Sequence, residues 1–252
     1  MFDQQPIGSM GKVILAAGML AGVVGFTASN AKADPGPVPL SSLTSPTLQD
    51  LINLGTGGVV IGDKVFSDFS YIGAPPGAPN PAPTASQIAI GTAPGSDIGL
   101  TFSSAWESAL GLNQDSIIRY AVSVLPNSGF LIKDVGLRFN GNAPIPSTGT
   151  LATVTETVST LSGTGPGSLL GQLSVVAGGA SSTTNRYSDH LTFAPTSSVF
   201  VEKDIQLNST DAGVATISFV DNTFSQTVPE PATFSLVGLA GAGLLARRRR
   251  QA

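Results

Sequence analysis

Few residues of this chain could carry chemistry, because it contains one histidine and no cysteine. His190 lies in the stretch YSDHLTF, directly after Asp189. These two neighbours cannot belong to one Ser-His-Asp triad if they lie on a strand, because adjacent strand residues point to opposite faces. The sequence also lacks a Gly-x-Ser-x-Gly nucleophile elbow. We therefore assign no catalytic residue and interpret His190 as a solvent-facing or strand-edge side chain.

Metal binding would have to rely on oxygen ligands, because one histidine and no thiolate leave nothing for a zinc or copper site. Four aspartates near predicted turns are conceivable calcium ligands: Asp63, Asp68, Asp211 and Asp221. No EF-hand spacing or nonapeptide repeat arranges them. We predict no defined metal site and no cofactor, and we leave calcium-assisted binding open.

Glycoside hydrolysis would need two carboxyl groups that converge in one cleft. The glutamates that could join an aspartate are Glu107, Glu156 and Glu202, but no spacing pairs them. One tryptophan and three tyrosines make a thin platform for stacking on sugars, and we expect Trp106, Tyr71, Tyr120 and Tyr187 to pack within the fold. A secreted glycosidase or esterase stays as an alternative that would require such a cleft, or a serine near His190.

Charge separates the middle of the chain from its ends. Residues 34–227 contain fourteen acidic and six basic side chains, a formal charge of −8, whereas the whole chain carries −4. Such an acidic body repels phosphate backbones, and the one cluster of cations, Arg247 to Arg250, follows an apolar segment. Nucleic acid is therefore excluded as a predicted partner.

The first 33 residues have the three parts of a secretory signal peptide. Lys12 supplies the positive flank, residues 13–26 form an unbroken run of apolar and small residues, and Ala31-Lys32-Ala33 offers a small-x-small cleavage pattern. A buried first helix would need a polar face, which this run lacks. We predict recognition by the secretion machinery and cleavage by signal peptidase after Ala33.

The last 25 residues, 228–252, contain a rigid motif, an apolar run and a basic cluster in that order. Val228-Pro229-Glu230-Pro231 is held extended by its prolines, which offers a processing enzyme a strand with little ordering cost. Residues 232–246 would form a helix of about 22 Å, short of a hydrocarbon core of about 30 Å. Arg247, Arg248, Arg249 and Arg250 would orient this marginal span in the inner membrane with the C-terminus in the cytoplasm.

This order and spacing at the extreme C-terminus resemble the PEP-CTERM protein-sorting signal of Gram-negative bacteria. The resemblance implies handling by exosortase, an integral-membrane cysteine transpeptidase, in organisms that make exopolysaccharide. Residues 55–73, with their Gly-Asp-Lys-x-Phe core, are similar to uncharacterised PEP-CTERM proteins, which imply no activity. An ordinary tail anchor with a chance Pro-Glu-Pro is the alternative.

The body, residues 34–227, shows short alternating segments separated by Gly, Pro, Asn and Ser, with almost no helical periodicity. In residues 199–207, the side chains of Val199, Val201, Ile205 and Leu207 form one face and Glu202, Asp204 and Gln206 the other. About ten such segments predict an all-β, antiparallel β-sandwich of jelly-roll type. The exception is the segment TLQDLINL, which predicts a short helix capped by Thr47.

Three connections can also be predicted. Residues 73–84, GAPPGAPNPAPT, cannot lie inside a strand, because prolines lack the ladder donor, and should form a surface loop or a disordered excursion. Residues 118–124 and 131–139 flank a Pro-Asn-Ser-Gly turn and predict a hairpin. Residues 162–168 predict a Gly-rich turn.

Together these patterns predict a non-enzymatic exported protein. It would be anchored briefly in the inner membrane with its body in the periplasm, processed by exosortase, and passed to the cell surface or an extracellular matrix. The alternative from another functional class is a carbohydrate-binding module for exopolysaccharide, with or without calcium.

Overall fold

The computed structural model of the chain describes residues 36–143, 149–178, 185–210 and 213–228. The predicted signal-peptidase site at Ala31 and Ala33 lies outside these ranges, as do Pro229 to Pro231 and the arginines 247–250. Within the described residues, no helix is both long and apolar enough to cross a bilayer.

The described residues form two sheets, which confirms the predicted all-β sandwich. The larger sheet has seven strands in the order β1-β2-β3-β6-β11-β8-β9: Val38–Pro39, Val59–Ile61, Lys64–Gly73, Asn113–Val124, Ser198–Asn208, Leu151–Ser162 and Gly165–Gly178. The smaller has five in the order β10-β7-β12-β5-β4: Ser188–Thr196, Leu131–Phe139, Val214–Thr227, Ile98–Ala109 and Ala89–Thr92. All pairs are antiparallel except β1 with β2. The jelly-roll pattern of connections stays a prediction.

A short helix, α1 (Leu48–Leu54), lies between β1 and β2, as predicted. The Thr47 hydroxyl accepts from the backbone N–H of Asp50, and the Asp50 carboxylate accepts from the backbone N–H of Thr47. This reciprocal capping box satisfies two donors that a helix start leaves unpaired. Hydrogen bonds from Thr47 also hold the pKa of Asp50 below its usual value. Leu48 and Leu51 are fully buried and attach the helix to the core.

The core lies between the two sheets and is built by the alternation of each strand. On β12, for example, Ala215, Ile217, Val220 and Phe224 are buried, and the Phe224 ring meets the Phe66 ring of the facing sheet edge to face at 5.8 Å. Tyr120 is fully buried and stacks on Phe69 at 5.3 Å. Such contacts add packing energy of about 1 kcal/mol beyond area burial.

The inner face of β11 contains a charge that the predicted alternation did not assign. Lys203 lies between Val201 and Ile205 and is fully buried, as is Glu156 on the neighbouring strand β8. The Lys203 ammonium donates to Glu156 Oε2 and, at 3.2 Å, to Asn222 Oδ1 on β12 of the opposite sheet. Burial lowers the pKa of Lys203, against the opposing effect of the Glu156 carboxylate.

Asn222 connects this ion pair to the rest of the sandwich. Its Nδ2 donates to Glu156 Oε1 at 3.0 Å and to the Gly136 carbonyl at 2.9 Å, and its Oδ1 also accepts from the Tyr120 hydroxyl. Burial, followed by the charge of Glu156, raises the pKa of Tyr120 well above its usual value. We name Tyr120, Glu156, Lys203 and Asn222 the inter-sheet cluster, because it joins both sheets with its polar groups satisfied.

The structure corrects two predicted connections. Residues 118–124 and 131–139 do not form a hairpin: β6 pairs with β3 and β11 in the larger sheet, whereas β7 pairs with β10 and β12 in the smaller. The turn between them, with Asn127 and Gly129 at positive φ, carries the chain from one sheet to the other. The Gly-rich turn is shorter than predicted, because β8 continues to Ser162 and β9 begins at Gly165. The Pro-rich segment is a surface loop, as predicted.

The inter-sheet cluster yields a test of stability. Lys203→Met should lower the free energy of unfolding by about 3–5 kcal/mol, because it leaves the buried Glu156 carboxylate without its counter-charge. The double variant Lys203→Met/Glu156→Leu should recover most of that loss, since an apolar pair can replace a buried ion pair at little cost. Urea denaturation measures both. Lys133→Met, outside the cluster, is the control, and a double variant as unstable as the single one would contradict this assignment.

Candidate functional site

Polar side chains cover the outer face of the smaller sheet in cross-strand rows. In one row, Arg138 on β7 lies opposite Asp221 on β12, which in turn lies opposite Thr101 on β5. In the next row, Gly136 lies opposite Thr223. The missing side chain at Gly136 leaves a depression beside Arg138, and a Cβ there would lie 2.6 Å from the Thr223 hydroxyl.

Arg138 is held rigidly on this face. Its Nε and Nη2 donate to Asp221 Oδ2 at 2.9 and 2.5 Å, and Asp221 Oδ1 accepts from the Thr101 hydroxyl at 2.6 Å. The guanidinium carbon lies 5.4 Å from the centroid of the Phe219 ring, a cation–π distance. The Asp221 side chain is 4% exposed but that of Arg138 is 51% exposed. The buried carboxylate therefore orients a cation that solvent can still reach.

The depression beside Arg138 is a trough of about 310 Å³, at the lower end of the range of small-ligand sites. The charged and hydroxyl-bearing residues that line it are Ser96, Asp97, Arg138, Ser188, Asp189, Asp221 and Thr223. Hydroxyls and carboxylates supply acceptors, and Arg138 supplies donors. Such a lining suits a ligand rich in hydroxyl groups.

His190 lies next to this trough and does not form a catalytic triad. Its side chain is 58% exposed, and its Nε2 is 3.4 Å from Asp134 Oδ1. Ser225 donates its hydroxyl to the other oxygen of Asp134, so the carboxylate lies between the serine and the histidine. A triad needs the imidazole in the middle. The predicted separation from Asp189 is confirmed, because Asp189 accepts from the Ser174 backbone on β9 instead.

The three calcium candidates that the structure describes do not converge. Asp63 lies in the turn before β3 beside Lys64, Asp68 lies within β3 at positive φ, and Asp221 is bound by Arg138 on the other sheet. Asp211 lies outside the described residues. Among the residues that are described, no three His, Asp or Glu side chains are grouped to hold a metal ion.

The three glutamates weighed for glycoside hydrolysis lie apart. Glu156 is in the inter-sheet cluster, Glu202 binds Arg119 on the outer face of the larger sheet at 2.5 Å, and Glu107 is exposed on β5. As expected, Trp106 and Tyr120 are buried and Tyr71 is half-buried, with its hydroxyl donating to the Pro83 carbonyl. Tyr187 is exposed instead, with its ring tilted against Phe139.

Asp204, also on the outer face of the larger sheet, faces another carboxylate. Its Oδ1 is buried and has no hydrogen-bond partner within the described part of the chain, while Oδ2 accepts from Gln206 at 2.9 Å. Burial, and then the neighbouring Asp115 carboxylate, raise the pKa of Asp204 from 3.8 to about 6; Glu202 adds to this shift. The group titrates at mildly acidic pH.

The end of the body is held by the Gly-Asp-Lys-x-Phe segment. Lys64 is fully buried, and its ammonium donates to Asp63 Oδ1 at 3.0 Å and to Gln226 Oε1 at 2.6 Å. Gln226 is followed by Thr227, the last residue of β12, which still pairs with Leu131. The ordered strand therefore reaches to two residues before Pro229.

Comparison with known proteins identifies this tail. The PEP-CTERM protein-sorting motif matches residues 227–250, as the residue pattern predicted. The chain is thus an all-β protein that carries a PEP-CTERM sorting motif, which supports an exported protein sorted by an exosortase. No curated protein matches the sequence.

Two solved structures show a distant likeness to this chain. One is TmCBM61 in complex with β-1,4-galactotriose, at 10% identity and a TM-score of 0.32, covering 73% of this chain and 97% of that one. Another is the enzymatically active domain of bacteriophage CBA120 tailspike protein 4, at 13% identity and a TM-score of 0.26, covering 64% of this chain and 19% of that one. At these scores neither bears on function.

Sequence reasoning did not find the Arg138 trough. Arg138 and Asp221 are 83 residues apart in the chain, and only the pairing of β7 with β12 brings them together. The one local signal is an exposed arginine two residues after a glycine within an alternating strand.

The raised pKa of Asp204 predicts how stability depends on pH. The folded state holds a proton on Asp204 up to about pH 6, whereas the unfolded chain releases it near its ordinary pKa of 3.8. The contribution of this group to stability therefore falls as the pH rises from about 4 to about 6. Asp204→Asn should raise the free energy of unfolding at neutral pH and change it little near pH 4.

Urea denaturation at both pH values measures this difference. Glu107→Gln, which neutralises an exposed carboxylate on the other sheet, is the matched control. Equal effects of Asp204→Asn at both pH values would show that Asp204 titrates as an ordinary carboxylate.

Proposed function

We propose that this chain is a non-enzymatic structural protein of the cell surface or extracellular polysaccharide matrix, delivered there by exosortase. Signal peptidase cuts after Ala33, the sandwich folds in the periplasm, and residues 232–246 hold it at the inner membrane with the arginines inside. Exosortase then processes the chain near Pro229 to Pro231 and releases or transfers the body.

The observation that carries this proposal is the position of the sorting motif. The motif begins at Thr227, which is also the last residue of β12. Nothing in the described chain separates the folded body from the signal, so the body is the cargo of that signal. Within the motif, Glu230 supplies one carboxylate between two prolines, which restrict the backbone on either side of it.

A structural role for the body is supported by the contacts of its polar side chains, which bind one another. Glu156 and Lys203 neutralise each other in the core, and Asp134 separates Ser225 from His190. Groups used in this way stabilise the fold, which supports a structural role. A matrix protein also needs adhesion to polysaccharide, and the Arg138 trough is the surface that favours the carbohydrate-binding alternative.

Deletion tests the sorting route. Removal of residues 228–252 should abolish delivery of the body to the surface fraction, measured by cell fractionation and immunoblotting. The matched control replaces the same residues with an unrelated tail anchor of similar length, which should keep the body at the inner membrane. If the body reaches the surface in either variant, the tail does not determine sorting.

Intact mass spectrometry of the surface protein tests processing at both ends. We expect a mature N-terminus at Asp34 and a C-terminus close to Pro229 to Pro231, with any transferred group read as added mass. A surface protein that retains Arg247 to Arg250 would show that the tail is only an anchor.

A further inference from the structure

The Arg138 trough contains a donor group that the fold leaves unused. Nε and Nη2 of Arg138 bind Asp221, but Nη1 makes no hydrogen bond within the described ranges. The side chain cannot turn away easily, because the Asp221 carboxylate and the Phe219 ring hold the guanidinium from two directions. A fixed, half-exposed donor loses little conformational entropy when it binds a ligand.

Acceptors and small hydroxyls surround this donor. Asp97 is exposed in the loop before β5, and Ser188 is exposed at the start of β10 on the other side of β7. Thr223 lies on the floor next to Gly136, where the lack of a side chain keeps the trough open. A sugar ring offers neighbouring hydroxyls that both donate and accept, and this mixed lining can satisfy both kinds of group.

Charge selects among polysaccharides. Two carboxylates of the lining, Asp97 and Asp221, accompany the single guanidinium of Arg138, which already pairs with Asp221. Asp189 directs its carboxylate to the Ser174 backbone instead. The body around it carries a formal charge of −8 over residues 34–227. A polyanion such as a uronic-acid polymer would be repelled both at long range and in the trough, whereas a neutral chain would not.

A bound cation does not fit as the primary ligand. Asp221 is already neutralised by Arg138, and the guanidinium itself would repel a cation placed beside it. Asp189 likewise accepts from the Ser174 backbone and lies 3.4 Å from Arg186. The lining, as the fold arranges it, is therefore suited to binding hydroxyl groups and not a cation.

We propose that this trough on the five-stranded sheet binds a neutral polysaccharide, with Arg138 donating to sugar hydroxyls and Asp97 accepting from them. This inference extends the proposed matrix role, because it supplies the contact between the delivered body and the polysaccharide. Its binding assay uses purified protein and so does not depend on sorting.

The test measures binding of the full-length chain, purified in detergent, to a panel of soluble neutral glucans, galactans and mannans, with polygalacturonate as the anionic comparison. Affinity electrophoresis finds the binders, and isothermal titration calorimetry gives their affinities. We expect at least one neutral polysaccharide to bind and polygalacturonate not to bind. Addition of a chelator should leave the affinity unchanged.

Three variants should weaken that binding about tenfold or more. Two of them alter a charged hydrogen-bonding group, whose loss has an effect of about that size, and the third obstructs the trough. Arg138→Lys keeps the charge opposite Asp221 but loses the planar fork. Asp97→Asn removes the acceptor charge, and Ser188→Phe fills the trough. Glu107→Gln is the matched control, because it neutralises an exposed carboxylate at the far end of β5. This variant should bind as the unaltered protein does.

Asp97→Asn and Ser188→Phe change exposed positions, so they decide the result if Arg138→Lys fails to fold. Thermal denaturation checks that each variant is folded. The proposal is overturned if no neutral polysaccharide binds, if polygalacturonate binds better, if the folded variants bind normally, or if chelation abolishes binding. None of these results would alter cell fractionation, which tests the sorting route separately.

Discussion

The inter-sheet cluster is the constraint on which the rest of the sandwich depends. Lys203 and Glu156 are fully buried, and their charges are tolerable only while the two strands that hold them stay in register. A shift of β11 by one residue would turn Lys203 outward and bury Glu202 or Asp204 instead. Asn222 extends the same requirement to the second sheet, since its amide joins Glu156 to the Gly136 carbonyl.

The same register places the surface trough. Asn222 points inward to the cluster and Asp221, its neighbour on β12, points outward to Arg138, as strand alternation requires. The Gly136 carbonyl likewise accepts from the Asn222 amide, and the space above the Gly136 Cα is part of the trough. The interior ion pair and the exposed guanidinium are therefore fixed by the same strands. Loss of the cluster would disturb the trough without any change to its lining residues.

Local patterns in the sequence predicted the features that depend on neighbouring residues. The helix cap at Thr47, the alternation of Val199 to Leu207 and the sorting motif all lie within short stretches, and each was found. Lys203 was not assigned to the core, because a lone charge on an apolar face gives no sign of the partner that would neutralise it. The hairpin predicted between β6 and β7 was wrong for a related reason. Both strands alternate well, and alternation does not reveal which sheet a strand joins.

The junction at Thr227 depends both on a local sequence pattern and on a contact between distant residues. The motif is local, but the strand end that precedes it is held by Lys64, which lies 162 residues before Gln226 in the chain. β12 is an interior strand, paired with β5 and β7, so peeling its end would break ladder bonds and expose the Lys64 ammonium. An enzyme that acts on the motif must therefore work next to the ordered end of the sandwich, because β12 pairs with its neighbour as far as Thr227, where the motif begins.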